Sequence, residues 1–180
     1  MGLKAAQSGQ HELVEKMLDA ALELSRTLPR GNAETGDKFY LLASAYSQHK
    51  RIRKALVLQK EALAIYDKTL AHNDPRLLKV LNALAEIYLD HGKPEKALTY
   101  CERAAAFDES ALGRDHQKLL ADTLIKMACI SYSQHRFGES TKLYLRADTI
   151  RQKLHKTASQ THKLPPRTEN SGGLVAIPPL

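Results

Sequence analysis

The chain has 180 residues, 43% hydrophobic and 26% charged, which is enough apolar material for one domain with a core or for a short repeat array. No run approaches the roughly eighteen apolar residues of a membrane span. The opening "MGLKAAQSGQHELVEK" turns polar too early for a secretory leader, and two cysteines are too few for a disulfide framework, so a reducing cytoplasm is the expected setting. The net charge of +7 keeps anionic partners in play, and its excess lies in two blocks, 36–75 and 117–156.

In chain order, "GQHELVEKMLDAALELSRTL" (9–28) reads as a turn and a helix, preceded by only a stub of an earlier helix, so that 1–31 form a partial unit. Residues 32–73, 74–115 and 116–156 each read as two amphipathic helices. Apolar residues recur at three- and four-residue steps, as in Leu81, Leu84, Ala85 and Tyr88, and no alternating strand pattern is visible. Small residues fall in register at Ala43, Ala85 and Ala128, at Ala55, Ala97 and Ser140, and at Ala62, Ala104 and Ala147. Leu28, Leu70, Leu112 and Leu154 follow one another at intervals of 42. Such a period marks a repeat architecture. Alanine suits the crossing of two helices, where it lets the backbones approach closely.

The break inside the third unit is marked by Gly92, a good left-handed cap residue, and by Pro94, which suits the first turn of a new helix. "NDPRLL" and "RDHQKLL" place start signals before the next apolar runs. After His155 the periodicity stops, and 157–180, with four prolines and adjacent glycines, is expected to be a flexible tail. "KLPPR" hints at a polyproline segment, and the apolar end "LVAIPPL" could lie in the chain's own groove.

"LNALAEIYLDHGKPEKALTYCERA" (81–104) and the linker "ALGRDH" carry a resemblance to the tetratricopeptide repeat, in the 42-residue form of kinesin light chains and related proteins. The likeness runs from residue 9 to 156. The unit 74–115 shows the full motif. The unit before it has Lys50 in place of the turn glycine. The last departs further, with His135 in the glycine position, Ser131 in the tyrosine position and Gln117 replacing the linker proline. The resemblance implies an all-α solenoid of antiparallel helix pairs, wound as a right-handed superhelix. It also implies a non-enzymatic scaffold or adaptor. The first helix of each pair (helix A) would line a concave groove that takes an extended peptide or a helix of a partner protein.

With Ala43, Ala85 and Ala128 as anchors, the groove positions are Asp37, Tyr40, Ser44, Ser47 and Gln48, then Lys79, Asn82, Glu86, Leu89 and Asp90, then Asp122, Ile125, Cys129, Tyr132 and Ser133. Four acids face one lysine, so this surface is expected to prefer neutral or basic segments, with Tyr40, Leu89, Ile125 and Tyr132 as apolar contacts. The acidic-peptide recognition of kinesin light chains is echoed only by Lys79 and Asn82. The carboxylate clamp of chaperone-binding members lacks its lysines and asparagines.

The cations lie elsewhere. Lys50, Arg51, Arg53 and Lys54 crowd one turn, and Lys142, Arg146, Arg151, Lys153 and Lys156 run along the last helix. They read as solvated faces or as a basic convex surface for an acidic partner or nucleic acid. Tryptophan is absent and no aromatics interleave with these cations, so stacking platforms for nucleic acid are missing. Two further readings are a small chaperone built on a short array, and self-association through residues 1–28, because array ends need polar caps.

No phosphate loop, nucleophile elbow or His-Glu-x-x-His pattern occurs, so no catalytic residue, cofactor or metal is expected. Cys101 and Cys129 occupy positions where small apolar residues pack, which makes inert thiols the expectation. His49 and His91 are equivalent in neighbouring units, yet no carboxylate or cysteine joins them as a third ligand. The recurring "YSQHKR" and "YSQHRF" mark the turn from helix A to helix B. They are offset by one residue, which puts Ser131 in the packing column and turns Tyr132 toward the groove.

Overall fold

The computed structural model describes residues 13, 16–29 and 31–161, with side chains as far as 156. The first helix, α1 (16–26), is followed by α2 (Ala33–Gln48), α3 (Ile52–Thr69), α4 (Pro75–Asp90) and α5 (Pro94–Ala105). A short 3-10 turn at Glu109–Ala111 leads into α6 (Arg114–Ser133) and α7 (Phe137–Thr161). The described residues contain no strand. Helices α2/α3, α4/α5 and α6/α7 form three antiparallel pairs, and each pair packs on the next to build a solenoid.

The periodic small residues sit where the helices cross. Ala43, Ala85, Ala55, Ala97, Ala62, Ala104 and Ala147 are fully buried, and Ala128 nearly so. A side chain larger than alanine would hold the backbones apart at these points, while Leu58, Tyr66, Leu78, Leu81 and Leu124 fill the flanks. Ser140 occupies the alanine column of α7, half-buried, and its hydroxyl donates to the Ala128 carbonyl at 2.8 Å. The polar member of the column is therefore satisfied by the helix it packs against.

Local signals start and stop the helices. Asn32 and Asp74 cap α2 and α4 by accepting from the Thr35 and Arg76 amides, each at 2.9 Å. Pro75 and Pro94 occupy first turns, where no amide hydrogen is needed. Each A helix ends in the same double hydrogen bond. Arg51, Lys93 and Arg136 donate to the carbonyls of Tyr46, Tyr88 and Ser131, while Lys50, Gly92 and His135 donate to Ser47, Leu89 and Tyr132. The residue at the corner is left-handed in all three, with φ of 57° at Lys50, 63° at Gly92 and 60° at His135. The glycine signature is thus lost at two turns and the turn itself is kept.

Gln117, which stands where the family has a linker proline, donates from Nε2 to the Glu109 carbonyl at 2.8 Å and so fastens the 3-10 turn. Helix α7 runs to Thr161, beyond the point where the flexible tail was expected to begin. No glycine or proline interrupts the chain before Pro165, so the helix continues past the last packing residue. The remainder of the tail, including "KLPPR" and "LVAIPPL", lies outside the described residues, as does half of 1–28, the segment expected to self-associate.

Candidate functional site

Helices α2 and α4 present one face of each A helix to a shared concavity of about 200 Å³. Tyr40, Ser44 and Ser47 line it from α2, and Lys79, Asn82, Glu86 and Asp90 line it from α4. These are seven of the positions assigned to the groove by spacing alone. Tyr40 is half-buried, and its phenol is pushed above its ordinary value by burial and then by the nearby Glu86 carboxylate, which links the two helices electrostatically.

The floor and the far wall come from residues that spacing did not single out. Gln59 enters from α3 and Leu119 from α6. Gln59 is buried, and its Oε1 has no hydrogen-bond partner among the described residues. An unsatisfied buried acceptor costs about 1–3 kcal/mol, so this amide is set to take a donor. Gln59 shares its column with buried Cys101 and exposed Tyr144, so the column gave no signal that this glutamine would be buried beside the groove.

Asn82, expected to reach out to a ligand, is buried and turned along the array instead. It donates to Glu86 Oε1 at 3.2 Å and accepts from Thr123 Oγ1 at 3.1 Å and Lys126 Nζ at 2.7 Å. Lys126 also pairs with Glu86 at 2.6 Å. Four polar side chains therefore bind α4 to α6.

The same accounting lowers the expected acidity of the groove. Asp37 accepts from the Tyr66 hydroxyl at 2.6 Å and faces Arg76 at 3.5 Å, and Asp122 pairs with Arg151 at 2.7 Å. Tyr66 and Arg151 occupy equivalent places on the B helix of their own pairs, so Asp37 and Asp122 clamp helix A to helix B. Lys126, Arg76 and Arg151 were invisible to a count of groove columns, because each reaches its acid from a different helix. Lys126 and Arg151 offset Glu86 and Asp122, while Arg76 is shared between Asp37 at 3.5 Å and Asp74 at 2.9 Å, so the surface is less acidic than the column count.

The remaining groove candidates are dispersed. Ile125 packs against the main core cluster and Leu89 against a second cluster around Ala97 and Cys101. Gln48, Cys129 and Ser133 are exposed and do not line the cavity. Tyr132 is exposed, as its one-residue offset required, and meets Phe137 edge to face with centroids 5.2 Å apart. Ser131 is fully buried in the column that holds Tyr46 and Tyr88, and its hydroxyl has no partner among the described residues. Cys101 is buried, with its thiol pushed up to about 11 by that burial, whereas Cys129 is exposed and does not fill the packed position expected of it. Among the described residues no group of three or more histidine, cysteine or acidic side chains is placed to hold a metal.

The two basic runs differ in kind. Lys50, Arg51, Arg53 and Lys54 come together in one cavity with Asp19, Tyr46 and His91. Arg146 is committed to the fold, bonding Glu109 at 2.8 Å and the Ala105 carbonyl at 2.7 Å, and Arg151 is taken by Asp122. Helix α7 therefore spends its arginines on tying the last pair together, and Lys153 lines a cavity with Arg146 beside the acids Asp108 and Glu109.

The family model described as tetratricopeptide repeat matches residues 41–76 and 77–118. The unit that departs most, with Gln117, Ser131 and His135, lies almost wholly beyond those matches. Among solved structures, BtubC (BKLC) from P. vanneervenii is similar at 20% identity with a TM-score of 0.64. That likeness covers 94% of this chain and 65% of BtubC, so the chain spans less than two thirds of that protein. A kinesin light chain-type array of nearly identical tetratricopeptide-like repeats from Podosopora anserina is 21% identical, with a TM-score of 0.62, covering 83% of this chain and 76% of that one. MamA is similar at 16% identity with a TM-score of 0.55, covering 86% and 94%. No curated protein matches the chain in sequence. The repeat register, the three helix pairs and these likenesses together show tetratricopeptide repeats over residues 41–118 and a tetratricopeptide-like helical solenoid as the fold.

Proposed function

We propose that the chain is a protein-interaction scaffold that docks an extended, neutral segment of a partner protein in the concavity between α2 and α4, and that it acts by binding rather than by catalysis. The observation that supports this reading most is the buried Gln59 Oε1, an acceptor without a partner beside the Ser44 and Ser47 hydroxyls. An extended peptide has backbone amides to offer such a site, and half-buried Tyr40 supplies an apolar wall. Charge balance argues for a neutral segment over a basic one, since Lys126 offsets Glu86 and Arg151 offsets Asp122. We place this activity in the cytoplasm, where an exposed free thiol such as Cys129 is tolerated.

Selection from a random peptide library tests the reading. Ser44→Arg fills the cavity without touching the alanine columns. The wild-type chain should enrich a common motif of low net charge, and Ser44→Arg should abolish that enrichment while keeping the helical content. Equal enrichment by both proteins would refute groove docking.

A further inference from the structure

The turn between α2 and α3 carries a second feature that groove docking does not use. Lys50, Arg51, Arg53 and Lys54 line a cavity of about 610 Å³ together with His91 from the next unit's turn and Asp19 from α1. Among the described residues four cations and one carboxylate line it. Asp19 is already engaged, holding Lys54 and accepting from the Tyr46 hydroxyl at 2.8 Å.

The rest of the chain shows how unusual this concentration is. The first turns of α5 and α7 each contain an acid, Glu95 and Glu139, which suits the positive end of a helix dipole. Helix α3 has no acid in its first turn and no side-chain cap. Arg53 stands where α5 has Glu95, and Lys54 stands where α7 has Glu139. The α3 end therefore gathers positive charge where its two sister helices bring negative charge, and folding alone gives no reason to do so.

We propose that this cavity binds an acidic polypeptide segment of a partner protein, its carboxylates meeting Arg53 and Lys50 beside the α3 N-terminus. An arginine fork matches a carboxylate bidentately, and the cavity is large enough for several side chains. Nucleic acid fits less well. Among the described lining residues Tyr46 is 1% exposed with its hydroxyl already bonded to Asp19, which leaves the His91 imidazole as the one ring for stacking, where single-strand sites use a series of aromatics. The cavity lies at the helix turns, apart from the groove between α2 and α4, so one chain could hold two segments at once.

Fluorescence anisotropy of a labelled hexaglutamate peptide with the full chain tests this. Binding should weaken by about tenfold or more when Lys50 and Arg53 are both changed to Glu. The double change Lys142→Glu/Lys156→Glu alters net charge equally at exposed sites elsewhere and should have little effect. Ser44→Arg, which blocks the groove, should leave hexaglutamate binding intact, so the two sites stand or fall separately. Equal loss in both double variants would overturn the proposal in favour of diffuse attraction. So would an absence of binding at low salt, or displacement of the peptide by an equal concentration of inorganic phosphate. Tighter binding of a single-stranded oligonucleotide through Lys50 and Arg53 would assign the cavity to nucleic acid instead.

Discussion

Gly36 offers a sharp test of the packing account, because its two possible roles predict opposite signs. It lies in the first half of α2, where replacing glycine by alanine ordinarily favours the helix by up to about 1 kcal/mol. A Cβ at this point would lie 2.7 Å from Cδ1 of Tyr66, with Cε1 closer still. Ordinary carbon contacts are at about 3.5–4.0 Å, so the ring would have to move by roughly 1 Å. Tyr66 is 1% exposed and its hydroxyl donates to Asp37 at 2.6 Å, so that movement disturbs both a packed core and the clamp between α2 and α3. Overpacking costs about 1–3 kcal/mol and the hydrogen bond about 1 kcal/mol more. After the helix gain is subtracted, Gly36→Ala should destabilise the array by about 1–3 kcal/mol. Urea denaturation followed by circular dichroism would read this as a lower midpoint at unchanged slope. In a Tyr66→Ala background, with the ring gone, the same substitution should become neutral or stabilising. A higher midpoint for Gly36→Ala in the wild-type chain would show that Tyr66 does not occupy the place described.

The turns, the thiols and the acid limb give three further expectations. His135→Gly should raise stability by about 0.5 kcal/mol, since glycine relieves the left-handed strain at the cost of the contact with Phe137, whereas Gly92→Ala should lower it by about 1 kcal/mol; thermal melts of both would show it. Cys129 should react at once with a thiol reagent and Cys101 only on unfolding, because burial shields Cys101 and pushes its thiol up to about 11; two labelling phases of one equivalent each are the expected result. Arg76 holds the Asp74 carboxyl below its ordinary 3.8, so its contribution is fully present above about pH 4 and disappears as pH falls through the lower folded value. Asp74→Asn keeps an amide oxygen for the cap on α4, so it should lose less stability than wild type between pH 7 and pH 3 in urea melts, and an unchanged acid limb would contradict the pairing.

The fold could be read from the sequence because the constraint that repeats is local and steric. Ala43, Ala85 and Ala128 recur because two backbones cross there, and no other part of the structure alters that requirement. The corner at Lys50 and His135 was recognisable for the same reason, although neither is glycine. The flanking helices and their paired hydrogen bonds hold the left-handed residue in place whatever its side chain. The groove was legible only in part. Tyr40, Ser44, Ser47, Lys79, Asn82, Glu86 and Asp90 follow from position along one helix, and the structure brings them together. Lys126, Arg76 and Arg151 decide the charge of that surface from neighbouring helices, and no single column contains that relation. Gln59 did not stand out, because its column holds buried Cys101 and exposed Tyr144 and its helix was not expected to touch the groove. Tyr132, expected to face the groove, is exposed and has Phe137 as its aromatic neighbour. Helix α7 outran its packing pattern because a helix needs a breaker to stop, and the sequence supplies none before Pro165.

The central claim is that a partner segment lies across α2 and α4. Amide chemical-shift mapping of the isotope-labelled chain, titrated with a peptide enriched from the random library, addresses it directly. The account predicts the largest shifts at Tyr40, Ser44, Ser47, Lys79 and Glu86, together with the side-chain amide of Gln59, and the loss of all of them in Ser44→Arg. Shifts confined to α5 and α7, or preserved in Ser44→Arg, would contradict it.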